Sequence, residues 1–324
     1  MSAPSASPAA VEPLPLVCPQ PAPSGGGRCG APLHATADGG LLCPACGTEF
    51  PRRADVPVLL SAEEWQACRR HLDDEATIRD NYARARRLAP LTTRYFDWWI
   101  ARMLAEVPAE LDGNFVELMC GGAEVCRRLP ARFTAALALD LDVDMVEQAA
   151  RDLAARGDRR VRLVCGTAAR VPLPDACTSV VIVQGALHHA RPVLADILRE
   201  IHRLLRPGGV LVGSEPANDH PLTRAIRDWQ YRRSVHQGND PDEEGFDRAE
   251  LGRLLADAGM RLDRYRQFGF VAYPLMGNTD IVPLLRNVRS PALGSALLRF
   301  DELLERVPGV RDMAWASLFR AFKE

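Results

Sequence analysis

Phe115-Val116-Glu117-Leu118-Met119-Cys120-Gly121-Gly122-Ala123-Glu124 reads as a short apolar strand, a glycine pair and a helix opening at Ala123. Glycines in such a turn let the backbone approach a ligand closely, and a helix N-terminus offers unpaired N–H groups. A glycine pair alone is also compatible with an ordinary tight strand-to-helix turn. The next strand, 135–139, ends at Asp140, about twenty residues further on, where an acid in an open α/β sheet can accept both hydroxyls of a ribose. Turn and acid together point to a nucleoside-containing ligand.

The pattern outward from this stretch alternates. A helix is expected over 143–156, strands over 161–165 and 179–183, a helix over 193–205 closed by Arg206-Pro207-Gly208-Gly209, and a fifth strand over 210–213. Strands alternating with helices predict a doubly wound, mostly parallel, Rossmann-like sheet with helices on both faces. Upstream, Ser61 and Glu64 have capping-box spacing at the start of helices expected within 62–107. The expected organisation is a disordered tail (1–14), a zinc ribbon (15–60), a helical lid (61–110) and an α/β domain (111–324) with insertions at 218–246 and 272–312.

Further motifs follow in order: Gly166-Thr167-Ala168 after the third strand, Gln184-Gly185-Ala186-Leu187-His188-His189 after the fourth, and Leu204-Leu205-Arg206-Pro207-Gly208-Gly209 before the fifth. This ordered set, over about 110–217, resembles the class I S-adenosylmethionine-dependent methyltransferases, whose sheet has seven strands. The resemblance implies that Glu117, Met119, Cys120, Gly121 and Gly122 face the methionine part of the cofactor. It implies that Asp140 binds the ribose, that Leu141 packs on the adenine, that Thr167 and Ala168 lie at the adenine edge, and that Gln184 lies near the sulfonium. Met119 and Ala123 stand where the family's turn has glycines, and Thr167 stands where it usually has an acid.

Methyl transfer is an in-line displacement in which the protein aligns the reactants and often removes a proton from the acceptor. His188 and His189 lie just beyond the fourth strand, where ligands bind in such sheets, and histidine suits a base near neutral pH. At a strand end their rings are expected on opposite faces, one in the pocket and one in the core, with a slight preference for His189 as the base. Packing is the competing role for both. Glu215, His220 and His236 are weaker candidates, expected at the surface or packed. Trp229, Tyr231 and His236 of the 218–246 insertion are expected to shape the acceptor pocket. Tyr82 and the aromatic cluster at 95–100 are expected to close it or to pack helices on the sheet; packing is favoured for Trp98 and Trp99.

Nine cysteines divide into a cluster and a scatter. Cys43-Pro44-Ala45-Cys46 is a zinc knuckle, its two-residue gap letting both sulfurs reach one tetrahedral ion. Cys18 and Cys29 form the partner pair, a second knuckle opened by an insertion containing Ser24-Gly25-Gly26-Gly27. Four protein ligands make such a zinc structural, with no open position for catalysis. His34 does not fit the paired spacing. The ribbon's ending, Phe50-Pro51 to Leu60, resembles the zinc-ribbon segment in front of a ribosomal RNA guanine methyltransferase group. Cys68, Cys120, Cys126, Cys165 and Cys177 are expected to be small apolar residues.

The 324 residues carry a net charge of −2, 47% hydrophobic and 25% charged residues. A strongly basic nucleic-acid footprint is absent, and no run of about 18 apolar residues suggests a membrane span. The first fifteen residues lack the basic and apolar blocks of a secretory signal, so a cytoplasmic location is expected. Lys323 is the single lysine, leaving no internal amine for Schiff-base chemistry. The leading expectation is methyl transfer from S-adenosylmethionine to a small-molecule acceptor of bacterial specialised metabolism. Alternatives are an RNA methyltransferase using its zinc ribbon to dock RNA, for which Arg84–Arg87 and the 156–162 stretch speak, and a cofactor-binding protein with a non-methylating reaction.

Overall fold

A computed structural model of the chain describes residues 14–23, 25, 27–66, 68, 89–233, 244–277 and 283–324. The N-terminal ribbon contains the short strands β1 (His34–Ala35), β2 (Leu41–Leu42), β3 (Glu49–Phe50), β4 (Arg52–Arg53) and β5 (Val56–Pro57). Beyond it come α1 (Pro90–Ala105), β6 (Gly113–Leu118), β7 (Phe133–Asp140), α2 (Val143–Ala155), β8 (Val161–Cys165) and β9 (Thr178–Gln184). The remainder comprises α3 (Leu194–Leu204), β10 (Leu205–Pro216), α4 (Pro221–Arg233), α5 (Arg248–Asp257), β11 (Met260–Phe268), α6 (Pro291–Leu304) and β12 (Ala316–Lys323).

Seven strands form one sheet in the order β11-β12-β10-β9-β6-β7-β8, and β12 alone runs antiparallel to its neighbours. The fold expected from the alternating pattern is the fold observed. The central strands read as unbroken apolar runs because both faces are covered. Ala136, Ala138, Val180 and Ile182 pack under the α1 residues Tyr95, Trp99 and Met103 and the α2 residues Val146 and Ala149. Leu137, Leu139, Val181 and Val183 pack under Ile197 and Ile201 of α3 and Leu251 of α5.

The ribbon straddles the β8 edge of this sheet. Val58 bridges Cys165 in parallel, and the Leu59 N–H donates to the Cys165 carbonyl at 2.8 Å. Leu16, Cys18, Cys43, Phe50 and Leu59 join one sheet face, while Val56, Val58 and Leu60 join the other. An edge strand that would otherwise offer unpaired backbone is thereby covered. The Ser61–Glu64 capping box forms as its spacing predicts: the Glu64 N–H donates to Ser61 Oγ at 3.2 Å and the Ser61 N–H to Glu64 Oε2 at 2.7 Å. Residues 1–13 of the expected tail, Tyr82, Arg84–Arg87 and His236 lie outside the described residues; Leu14, expected to end the disordered tail, is instead buried against the sheet, with Arg162 donating to its carbonyl.

The helix expected from Ala123 is not there. After β6 the chain makes a turn and a single 3-10 turn, Cys126–Arg128. Two local causes are visible. Ala123 sits at φ 53°, outside the helical region. The buried Glu117 carboxylate takes the Val125 and Cys126 N–H groups at 3.2 and 2.7 Å.

Candidate cofactor and catalytic site

The strand order reverses between β6 and β9, and the crevice beyond the C-terminal ends of such strands is where open α/β sheets bind ligands. The sequence-predicted residues converge there. Met119 to Gly122 follow β6, Asp140 and Leu141 end β7, Thr167 and Ala168 follow β8, and Gln184 ends β9. Backbone hydrogen bonds tie these ends together: the Cys120 N–H donates to Leu139 O at 3.0 Å and the Gly166 N–H to Asp140 O at 2.9 Å.

The Asp140 carboxylate braces the turn itself. It accepts the Gly121 N–H at 2.7 Å and the Asp142 N–H at 2.8 Å. Burial pushes its carboxyl up, and these two donors pull against that. Asp142 caps α2, accepting from the Asp144 and Met145 N–H groups. Met119 and Ala123 both adopt φ 53°, so the turn keeps left-handed backbone at the two positions where the resembled family has glycine. A non-glycine residue there costs on the order of 1–2 kcal/mol.

Glu117 does something other than face the ligand. Its side chain is 2% exposed and spent on the 125–126 backbone. Burial holds its carboxyl up at about 7, against the lowering effect of those N–H donors. Thr167 Oγ accepts the Ala169 N–H at 3.2 Å, leaving its hydroxyl proton to give. Leu141 is 43% exposed at the mouth, where an apolar ring could cover it. Gln184 holds its Nε2 buried without a hydrogen-bond partner, an orphaned donor at the strand end. A cofactor with carboxylate or hydroxyl oxygens fits that donor.

The histidines stand differently from their expected arrangement. Leu187–Val193 is a 3-10 helix rather than a strand end, so the two rings lie side by side, centroids 3.9 Å apart. His188 is buried and His189 exposed. Glu215, expected to be a surface or packed group, is 1% exposed and contacts His188 Nδ1 at 2.7 Å. Its place straight after the fifth strand was the only sequence sign of this. His220 instead accepts the Leu222 N–H at the start of α4.

Helix α1 covers the same strand ends. Trp99 donates from Nε1 to Ser214 Oγ at 2.9 Å and Trp98 to Glu302 at 2.9 Å, so both indoles pack and bond as expected. Sequence reasoning missed Cys68, whose Sγ lies 3.4 Å from Leu141 O. Cys120, Cys126 and Cys165 are buried, and burial pushes their thiols well up. A separate cavity of about 800 Å³, lined by Arg102, Glu106, Tyr265, Gln267 and Glu305, contains none of the predicted site residues.

In the ribbon, Cys18, Cys29, Cys43 and Cys46 place their sulfurs within 4.8 Å of one another. Cys18–Cys46 and Cys29–Cys43 are each 3.6 Å apart, close to the roughly 3.8 Å spacing of four sulfurs around one zinc. The Gly47 N–H donates to Cys43 O and the Gly30 N–H to Cys18 O, so in each knuckle the glycine after the second cysteine closes on the carbonyl of the first. The insertion folds back on itself, the Cys29 N–H donating to Gln20 O at 2.7 Å, and this returns Cys29 beside Cys18. Burial pushes the Cys46 thiol up, but donors led by Thr48 outweigh it and hold it at about 6. His34 is exposed on β1.

Residues 116–213 match the family described as Methyltransferase domain. A demethylmenaquinone methyltransferase from Geobacillus stearothermophilus is 32% identical over 74 residues, 23% of this chain and 31% of that protein. The chain thus spans less than a third of that relative's length. Among solved structures, the complex of the Haloferax volcanii Trm112 methyltransferase activator with a candidate methyltransferase aligns at TM-score 0.51 and 18% identity, covering 76% of this chain and 96% of that one. A candidate sarcosine dimethylglycine methyltransferase from Galdieria sulphuraria aligns at TM-score 0.50 and 16% identity, over 70% and 85%. The solved structures share the fold, and the match to the methyltransferase-domain family runs from the strand before the glycine turn into β10.

Proposed function

We propose that the protein transfers a methyl group from S-adenosylmethionine to a small-molecule acceptor, with a structural zinc in its ribbon. The observation that carries the cofactor half is the Asp140 carboxylate holding the Gly121 N–H at 2.7 Å at the strand-order reversal. The acid and the turn form one unit there, and Gln184, with its orphaned donor, ends the neighbouring strand β9. When bound, the cofactor supplies an electrophilic methyl on sulfur. The chain's residues hold the ribose side at Asp140, cover the strand ends with α1 and offer a base at the His188–His189 pair.

The small-molecule reading is supported by how the ribbon spends its charge. Arg28 is bonded to Val171 and Leu173 carbonyls, and Arg53 to Asp144 and Glu147. In the 156–162 stretch, Arg160 is directed at Asp158 and Arg162 at Leu14 O. Arginines engaged on their own chain are poor phosphate readers. The Geobacillus stearothermophilus relative is named for demethylmenaquinone and not for a nucleic acid. No described helix is long and apolar enough to cross a membrane. Calorimetric titration with S-adenosylhomocysteine, followed by product mass on acceptor panels and on RNA, tests this reading. Absence of binding removes it, and methylated RNA without methylated small molecules replaces its acceptor.

A further inference from the structure

Glu215 sits near the end of β10, in the middle of the sheet, with a side chain 1% exposed. Its neighbours on the 186–188 turn are all donors. Oε1 accepts the Ala186 and Leu187 N–H groups at 3.1 and 2.9 Å, and Oε2 accepts the His188 N–H at 3.3 Å. The remaining contact, Oε2 to His188 Nδ1, is 2.7 Å. A buried carboxylate with that donor set is an acceptor, so the ring nitrogen facing it must carry hydrogen. A neutral imidazole has one N–H. Placing it on Nδ1 leaves Nε2 with its lone pair.

The same carboxylate fixes the backbone that carries the ring. Its own carbonyl is held by Ser317 Oγ at 3.1 Å, which ties β10 to β12 at this level. Arg191, the cation nearest in sequence, is directed away, to the Glu244 and Gly245 carbonyls and Glu250. His189 is exposed, its ring tilted against that of His188 with centroids 3.9 Å apart.

We propose that Glu215 is a positioning residue that locks His188 in the Nδ1–H form and so makes His188 Nε2 the proton acceptor. This rests on the methyl-transfer reading. In the step, a lone pair on the acceptor atom forms the new bond to the methyl carbon, and the carbon–sulfur pair stays on sulfur. The acceptor's proton passes to His188 Nε2. The resulting imidazolium is held through its Nδ1–H by the Glu215 carboxylate, and the proton then leaves to solvent.

The test is nitrogen NMR of protein labelled with ¹⁵N-histidine, with and without S-adenosylhomocysteine. The expected result is His188 protonated at Nδ1 in the wild type. In Glu215→Gln, the amide N–H₂ faces Nδ1 and turns it into an acceptor, so the hydrogen moves to Nε2; Glu215→Asp is expected to restore the Nδ1–H form in part. S-adenosylhomocysteine affinity is expected to stay within threefold in Glu215→Gln. With an acceptor in hand, its kcat falls by about 10²-fold or more at unchanged cofactor KM. A wild-type His188 protonated at Nε2, together with cofactor binding, overturns this proposal alone, and that measurement decides even where Glu215→Gln fails to fold. An Nδ1–H signal in a protein that binds no S-adenosylhomocysteine overturns the proposal and the methyl-transfer reading together. An unchanged tautomer in a folded Glu215→Gln also overturns it.

Discussion

The Arg28 guanidinium of the ribbon donates to the Val171 carbonyl at 2.6 Å, and its second nitrogen donates to Leu173 O at 2.9 Å. The Val17 N–H adds a bond to Pro172 O at 3.0 Å, and the Glu200 carboxylate holds the Val171 N–H at 2.6 Å. The segment that follows Thr167 and Ala168 is therefore gripped from two sides, by α3 and by the ribbon. Hydrogen bonds from a charged donor contribute about 1.5–3 kcal/mol each. Arg28→Ala is expected to lower stability by about that amount and to weaken S-adenosylhomocysteine binding several-fold. Calorimetry and thermal melting check both. Unaltered affinity in a folded variant means the adenine edge does not depend on this grip.

Asp140→Ala removes an acceptor for the Gly121 N–H and, in the proposed complex, for the ribose hydroxyls. A loss of at least tenfold in S-adenosylhomocysteine affinity is expected, as the charge-assisted bonds involved contribute about 1.5–3 kcal/mol. Asp142→Ala is the contrast. It removes the α2 cap, which costs about 1 kcal/mol of stability, and is expected to leave affinity closer to wild type. Equal affinities in the wild type and Asp140→Ala remove the assignment.

Much of this architecture could be read from sequence because burial writes itself into composition. β6, β7 and β9 are apolar on both faces, and the acid after β7 follows the glycine pair at a telling distance. The short-range signals, such as the Ser61–Glu64 box, also held. What failed were features decided by a distant partner. Ala123 looks like a helix start until Glu117 captures the 125–126 backbone. The His188–His189 pair looks like a strand end until Glu215, 27 residues later, gathers three N–H groups and bends it into a 3-10 turn. The grip of Arg28 on Val171 crosses 143 positions, and no local pattern encodes it.

The ribbon predicts its own metal test. Purified protein is expected to hold one zinc per chain, measured by elemental analysis. Cys43→Ser is expected to lose it and to loosen residues 15–60, since so small a unit has too little core without its ion. Because Cys18 and Cys43 share a buried cluster with Val171 and Leu173, the loss should register in the melting temperature of the whole domain. Full zinc content in Cys43→Ser means the ligand set is wrong.

Glu117 predicts a pH dependence of stability. Burial raises its carboxyl from 4.5 to about 7. Between those values the folded protein holds a proton that the unfolded chain has released, so stability falls as pH rises. The whole deficit, about 3 kcal/mol, is in place above pH 7 and absent below about pH 4.5. Glu117→Gln cannot ionise and lacks that slope. The comparison is of slopes, since the amide also places a donor against the Val125 or Cys126 N–H and shifts absolute stability. Urea unfolding of both proteins at several pH values from about 5 to 8 reads the difference, which should grow steadily in favour of the wild type toward low pH. Parallel profiles mean that the N–H donors of the 125–126 turn outweigh burial and keep Glu117 ionised throughout.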